Sequence, residues 1–311
     1  MKLILIHQQQ SIQIPLSEFR LTTEIASAGI LEWSTPCREI LPENGDRVQL
    51  SDPEQDDNIF SGYIFRVEDN GRELRVLCYD QLKYLLYRDT RQFFQKTADQ
   101  ILWEIIREKQ LTAGSIDSTG VTIPSWLCEN QTLISMITGA LEETFKLSGK
   151  RFLLLDRAGS LILKQPQALQ TNLLLSGQNQ LTEWSRASDI DGATYTQFKI
   201  LQEDGRSGFR RISEAENAEQ KQKWGALQYF ERVDHSWNPA QVQARLQALQ
   251  QSYRNARTSF SVSGIADFRC RAGYGIYCQL SGQNAIPCLI ESSEITGKNG
   301  VFTMRLSLSE V

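Results

Sequence analysis

The chain offers few side chains of the kinds that do chemistry. His7 and His235 are the only two histidines in 311 residues, so a histidine-based triad must use one of them. His7 ends an apolar N-terminal run and precedes three glutamines. His235 stands between Asp234 and Ser236, but adjacent residues cannot form a triad, whose base must reach both partners through space. A polar turn ahead of Pro239 accounts for the three residues. Paired carboxylates occur at Asp56-Asp57 and Glu142-Glu143. The first pair lies in SDPEQDDN, which lacks the ligand period of a calcium loop and reads as a solvated turn. The second lies on the wet side of an expected helix. A glycosidase would need carboxylates opposed across a cleft, which nothing here builds.

Other signals are equally bland. Gly273-Tyr274-Gly275 is a lone GxG in a β region with no helix behind it, and so marks a bulge rather than a phosphate loop. Six cysteines, at 37, 78, 128, 270, 278 and 288, are too sparse for a disulfide scaffold and form no CxxC pair, so they read as reduced thiols. Asn130-Gln131-Thr132 reads as a helix cap. Arg254, Arg257, Arg269 and Arg271 form either a basic patch or, as the simpler reading has it, partners for nearby carboxylates. Trp33, Trp126 and Trp237 fit core anchors better than sugar platforms. No catalytic, cofactor-binding or metal-binding residue is assigned, and the chain reads as a non-enzyme without a cofactor.

Composition narrows the class. An apolar fraction of 41% with 23% charged residues belongs to a folded protein rather than a disordered one. A net charge of −4 argues against non-specific nucleic-acid binding, which depends on many phosphate-neutralising cations. The N-terminal run is too short for a signal peptide, and no apolar stretch reaches the ~20 residues of a membrane helix. The expectation is synthesis in the cytoplasm with no membrane anchor. The length calls for two or three domains.

Three segments follow from periodicity. Residues 1–90 read as an antiparallel β domain, with Ile12, Ile14 and Leu16 alternating, as do Leu74, Val76 and Cys78. Asn70-Gly71 between two strand-like runs predicts a type I′ hairpin. Residues 91–172 change period. Thr97 and Gln100 form a capping box ahead of Ile101, Leu102, Ile105 and Ile106. A second helix after Asn130 turns Leu133, Ile134, Ile137, Leu141 and Phe145 inward, and FLLLDRAGSLILK predicts a hairpin. Residues 173–311 return to strands, with helices expected near 213–224, from a capping box at Ser213–Glu216, and near 239–254, from an Asn238 cap and Pro239. Asn299-Gly300 predicts another hairpin turn. The fold expected is α+β, two antiparallel tube-like β-barrel domains (1–90 and 173–311) flanking an α/β helical insert (91–172). No internal repeat is visible in sequence, although β blocks at both ends are compatible with diverged copies.

One block is distinctive. GYIFRVEDNGRELRVLCYDQLKYLLYRDTRQFFQKTADQILWEIIREKQL, within Ile59–Leu111, resembles the XkdQ/YqbQ family of phage-like tail hub proteins. The resemblance rests on Gly62, Tyr63, Tyr79, Asp80, Gln81, Leu82, Tyr84, Asp89, Thr90, Thr97 and Ala98. It continues through the second-helix segment, the D-x-x-G turn of Asp156 and Gly159, SRASDIDGATYTQFKI, Trp224–Asp234 and the terminal VFTMRLSL. Residues 1–30 and 203–222 match poorly.

The resemblance implies a structural baseplate hub subunit of a contractile tail or tail-derived injection system. Its homotrimer would form a pseudo-sixfold ring that joins a hexameric tail tube to a trimeric central spike. The implied partners are tail tube or tube-initiator proteins, the spike, a LysM-containing hub protein, baseplate wedge proteins and a tape-measure protein. The implied place is a phage or phage-tail-like particle. The alternatives weighed are a tail-associated cell-wall hydrolase, which would need an acid/base pair in a cleft, and a carbohydrate- or receptor-binding tail component.

Overall fold

The computed structural model describes residues 1–36, 41–52, 57–177, 180–192, 194–204, 208–280 and 284–310. Cys37 and the turn expected around residues 53–56, including Asp56, lie outside the described residues. The chain divides into two compact units, one of residues 1–185 with 260–311 and the other of residues 186–259.

The first unit opens with β1 (Lys2–His7), β2 (Gln10–Ile14), β3 (Glu18–Glu24), β4 (Ile30–Thr35), β5 (Arg47–Asp52), β6 (Asp57–Asp69) and β7 (Leu74–Tyr79). A 3-10 turn at Gln81–Leu85 leads to β8 (Arg88–Thr97), α1 (Ala98–Glu108), β9 (Ala113–Ile116), β10 (Thr122–Thr132), α2 (Leu133–Ser148), β11 (Leu153–Asp156) and β12 (Leu161–Lys164). Then come β13 (Gln170–Ser176) and β14 (Leu181–Asp189). The second unit holds β15 (Gln197–Asp204), β16 (Phe209–Glu216), α3 (Ala218–Trp224), β17 (Gln228–Asp234) and α4 (Pro239–Ser252). The chain ends with β18 (Arg257–Ile265), β19 (Gly275–Gln279), β20 (Ile286–Lys298) and β21 (Val301–Glu310).

The α+β expectation of two barrels around a large helical insert is corrected. Strand residues make up 53% of the described residues and helical residues 20%, so the fold is mostly β. Among the described residues the two β blocks join one 13-stranded curled sheet, a half-barrel, in the order β14-β18-β21-β20-β3-β4-β7-β6-β5-β1-β2, with β13 reached through β19. The join is the antiparallel pairing of Ser292–Lys298 in β20 with Glu24–Glu18 in β3. Alternation tells which face of a strand is buried but not which distant strand lies beside it, so the sequence pattern could not show this. Leu21 and Leu31 from the first block share a core with Ile295, Met304 and Leu306 from the last.

The two blocks also share a strand order. β3-β4-β7-β6-β5 in the first runs as β14-β18-β21-β20-β19 does in the last, in the same order along the chain. Each contains a 13-residue strand, β6 or β20, with a bulge and a following hairpin. The second unit falls in the β14–β18 connection; its counterpart, between β3 and β4, is only the short link 25–29.

The Asn-Gly turns differ. Lys298 pairs directly with Val301, and Asn299 and Gly300 have φ of 51° and 78°, the two-residue turn expected. In the other, Asp69 pairs with Leu74, so Asn70-Gly71 begins a four-residue loop instead. The Asn70 side chain accepts from the Arg72 and Glu73 amides and holds the longer loop closed.

The intervening segment holds its helices as expected in part. Thr97 and Gln100 form the capping box of α1, and Ile101, Leu102, Ile105 and Ile106 are buried. The cap of α2 is Thr132, while Asn130 sits at φ 49° where β8–β10 pairing slips register. The expected hairpin is β11–β12, and β12 also pairs in parallel with β9.

In the second unit, β15 lies between β16 (antiparallel) and β17 (parallel). Phe198 and Ile200 pack with Val242, Leu246 and Leu249 of α4, which starts at the Asn238–Gln241 capping box with Pro239 in its first turn. The expected Ser213–Glu216 helix start is corrected: those residues extend β16, and α3 begins only at Ala218. The S-x-x-E spacing is not specific to caps, and here Ser213 and Glu214 pair with Ile200 and Lys199 of β15.

Candidate functional site: a buried acidic clasp and a charged sheet face

Two constellations of polar side chains stand out in the first unit. The first is buried. Asp80 caps the 3-10 turn after β7, its two carboxylate oxygens accepting from the amides of Leu82 (2.9 Å) and Gly29 (2.8 Å). Next to it, Gln81 reaches the segment that follows. Its Oε1 accepts from the Thr112 amide at 2.7 Å, and its Nε2 donates to the Gly159 carbonyl at 2.7 Å and to Asp156 Oδ2 at 3.3 Å. Asp156 in turn accepts from the Gly159 amide at 2.6 Å. Arg271 donates to the Ile59 carbonyl at 2.9 Å and faces Asp156.

The electrostatics follow from burial. Loss of water pushes the Asp80 carboxyl well above its ordinary range, the nearby Asp156 charge adds to the rise, and the two amide donors oppose it. Burial likewise raises Asp156, against the Gly159 amide, Gln81 and the Arg271 charge. Two raised carboxyls are the pattern of an acid/base pair, but the space beside them is about 30 Å³, room for a water and no substrate. Both oxygens of Asp80 and both of Asp156 already accept hydrogen bonds. The constellation is therefore a clasp that fixes the β11–β12 turn against the end of β7.

The second constellation is exposed. On the face of β3, β4 and β20 opposite the core, Arg20 lies 3.7 Å from both Glu32 and Glu294, and Lys298 lies 2.8 Å from Glu18. Arg66 pairs with Glu68 at 3.2 Å and Arg75 with Glu73 at 2.9 Å. A shallow groove of about 630 Å³ runs over this face, lined by three carboxylates (Glu18, Glu32, Glu68) and four cations (Arg20, Arg66, Arg75, Lys298). Cations and anions alternate across neighbouring strands, so the wall is almost neutral over a few ångströms.

The side chains weighed in the sequence are scattered. His7 Nδ1 lies 2.8 Å from Asp46 Oδ2 beside the β1–β2 turn. His235 and Ser236 are exposed ahead of α4, and the Asp57 and Asp234 side chains lie outside the described residues. Glu142 is exposed on α2, and Glu143 pairs with Lys146 at 2.7 Å. Gly273 has φ 86° where a Cβ would strike Leu155, so its glycine serves packing. Arg269 is held by Asp267 at 2.7 Å and Arg271 belongs to the clasp, while Arg254 and Arg257 are exposed in the second unit. Trp33 is buried and donates to Cys78 Sγ at 3.3 Å, Trp126 packs on Gly139, and Trp237 packs against the core of the second unit. Cys78, Cys128, Cys270, Cys278 and Cys288 are buried free thiols. Among the described residues no three His, Cys, Asp or Glu side chains are grouped to hold a metal ion, and no helix is long and apolar enough to cross a membrane.

Asp80 reads as a turn residue in sequence, and its nearness to Asp156 is missed. The signal was present in two pieces, the Y-D-Q-L run and the D-x-x-G turn, about 75 residues apart. The rest of the distinctive block now has physical roles. A Cβ at Gly62 would lie 2.3 Å from the Tyr79 carbonyl oxygen, so β6 and β7 approach closely only with glycine there. Tyr63 stacks edge-on with Tyr84, and Phe65 with Tyr79. Asp89 is held down in pKa chiefly by Arg91, and Thr90 accepts from the Asn130 amide.

Comparison with known proteins agrees with this motif set. The sequence model of a family described as YQBQ-like matches residues 19–309. The chain is 29% identical over 229 residues to the uncharacterized protein YqbQ of Bacillus subtilis (strain 168), covering 71% of this chain and 68% of that protein. It is 29% identical over 217 residues to the phage-like element PBSX protein XkdQ of the same organism, covering 66% of each. Among solved structures, the 43 kDa tail protein of prophage MuSo2 from Shewanella oneidensis shares the fold with a TM-score of 0.70 at 11% identity, over 99% of this chain and 98% of that one.

Proposed function

The chain belongs to the YQBQ-like family, and from that premise we propose that it is a structural component of a phage-type tail: the baseplate hub subunit. Three copies form a ring of pseudo-sixfold symmetry between a hexameric tail tube and a trimeric spike, within the particle. The observation that carries this reading is the repeated strand order, β3-β4-β7-β6-β5 and β14-β18-β21-β20-β19 in one sheet. A chain that presents the same strand set twice supplies two similar ring positions, which lets a three-fold assembly meet a six-fold one. The positions fall in residues 1–90 and 173–311, with residues 91–172 between them.

The charged face supports the same reading. A passage for DNA or protein works when its wall does not hold the cargo, and alternating charges cancel at short range. The role is non-enzymatic: the pair of raised carboxyls found among the described residues is spent on hydrogen bonds within the clasp. Imaging of assembled particles tests the reading, with the chain expected in a ring at the tube–spike junction. Absence from that junction overturns it, as does peptidoglycan lysis in a zymogram that is lost on replacing one carboxylate.

A further inference from the structure

The two strand sets are not used equally, and the difference leaves a vacancy. In β20, one side is occupied by β21 from Cys288 to Lys298. The other side is shared: Ile286–Leu289 pair with β19, and Ser292–Lys298 pair with β3. Its counterpart β6 repeats the first two contacts. β7 occupies one side from Tyr63 to Asp69, and β5 pairs with Asp57–Tyr63 on the other. The third contact is missing, since among the described residues no strand lies on the β5 side of Phe65–Glu68.

The matching strand is also on the chain. β14 stands in the last block where β3 stands in the first, next to β18 as β3 is next to β4. Where β3 has β20 on its second side, β14 is the end of the sheet among the described residues. Thr182–Ser185 of β14 are exposed, and Trp184 is 47% exposed. An unpaired strand edge carrying an open indole is a template for strand addition. The vacant half of β6 and the free edge of β14 lie at different places in one sheet, so they join only head to tail between copies. Such a contact closes rings.

We infer that β14 of one subunit adds antiparallel to the Phe65–Glu68 half of β6 in the next, which repeats between subunits the β3–β20 joint that exists within each. The partner is a second copy of this chain. The inference rests on the ring reading above and names the surface that closes the ring.

Cysteine pairs test it in assembled particles under mild oxidation. E68C/S185C is the primary pair, and E68C/E183C covers a two-residue change of register, which keeps the same face. Single variants E68C and S185C, and the pair E68C/K150C, with one cysteine beyond α2, are the controls. The expected result is a covalent series ending at the closed ring for at least one of the two test pairs, with the controls unlinked on non-reducing gels. Intact particles in which neither test pair links overturn the joint, as does linking by E68C alone, which would mean a two-fold contact. Images of the same particles separate the two ideas. A ring without crosslinks removes the strand joint and leaves the hub reading, whereas particles lacking the chain at the junction remove the hub reading itself.

Discussion

Asp80 and Gln81 are buried and Asp156 and Arg271 half-buried where the β11–β12 turn meets the end of β7, whereas Arg20, Glu32, Glu294 and Lys298 reach solvent on the open face of the same sheet. The same kinds of side chain do different work in the two places. In the clasp, the side-chain oxygens of Asp80, Gln81 and Asp156 and the Gln81 amide each have a fixed partner, because an unsatisfied buried group is costly. On the open face, Arg20 at 3.7 Å from two carboxylates has no tight partner and is half exposed. Buried polar groups fix position, and exposed alternating charges make a wall that attracts little.

The contrast can be strained from its strong end first. Arg245 and Glu231 in the second unit are another buried pair, at 3.0 Å with 5% and 11% side-chain exposure. Arg245→Ala leaves a carboxylate buried without its cation, and a loss of about 3–5 kcal/mol is expected in chemical denaturation. Gln81→Leu keeps the volume but strands the Thr112 amide, the Gly159 carbonyl and Asp156. It should lower stability by about 2–4 kcal/mol, and a loss below about 1 kcal/mol would show that the clasp does not hold the turn.

Acidity sharpens the comparison further. The folded pKa values of Asp80 and Asp156 lie above the ordinary one. The fold therefore favours their protonated forms, and their contribution is complete below the ordinary Asp range of about 4 and lost as pH rises through the folded values. Exposed or paired carboxyls such as Asp89 and Glu108 are lowered and act in the opposite sense, their contribution lost as pH falls. The melting temperature of wild type minus that of Asp156→Asn, measured from about pH 4 upward, should decline with pH whatever the offset of the variant. A difference that rises with pH would reverse the assignment. At the weak end, Arg20→Ala should change stability by no more than about 0.5 kcal/mol, with the effect fading in salt.

Local features were the legible ones. The α1 cap, the α4 start and the β11–β12 hairpin follow from a few adjacent residues, and the structure keeps them. Three features were hidden for distinct physical reasons. The turn between β1 and β2 is made by Gln8 and Gln9 at φ 47° and 67°, which no residue preference announces. Asn70-Gly71 looks the same in sequence as Asn299-Gly300, yet the Asn70 side chain stabilises a longer loop. The β3–β20 joint and the Gln81–Asp156 contact connect residues far apart in the chain, where periodicity carries no information about partners. Each half of the clasp was visible as a motif, but its meeting with the other was not.

Cryo-electron microscopy of the particle that contains this chain is the most direct test. The expected result is a ring between tube and spike in which each copy places its two strand sets at similar positions around one axis, with the charged face of β3, β4 and β20 turned to the passage. A ring whose two strand sets occupy unrelated positions, or a junction built without this chain, would contradict it.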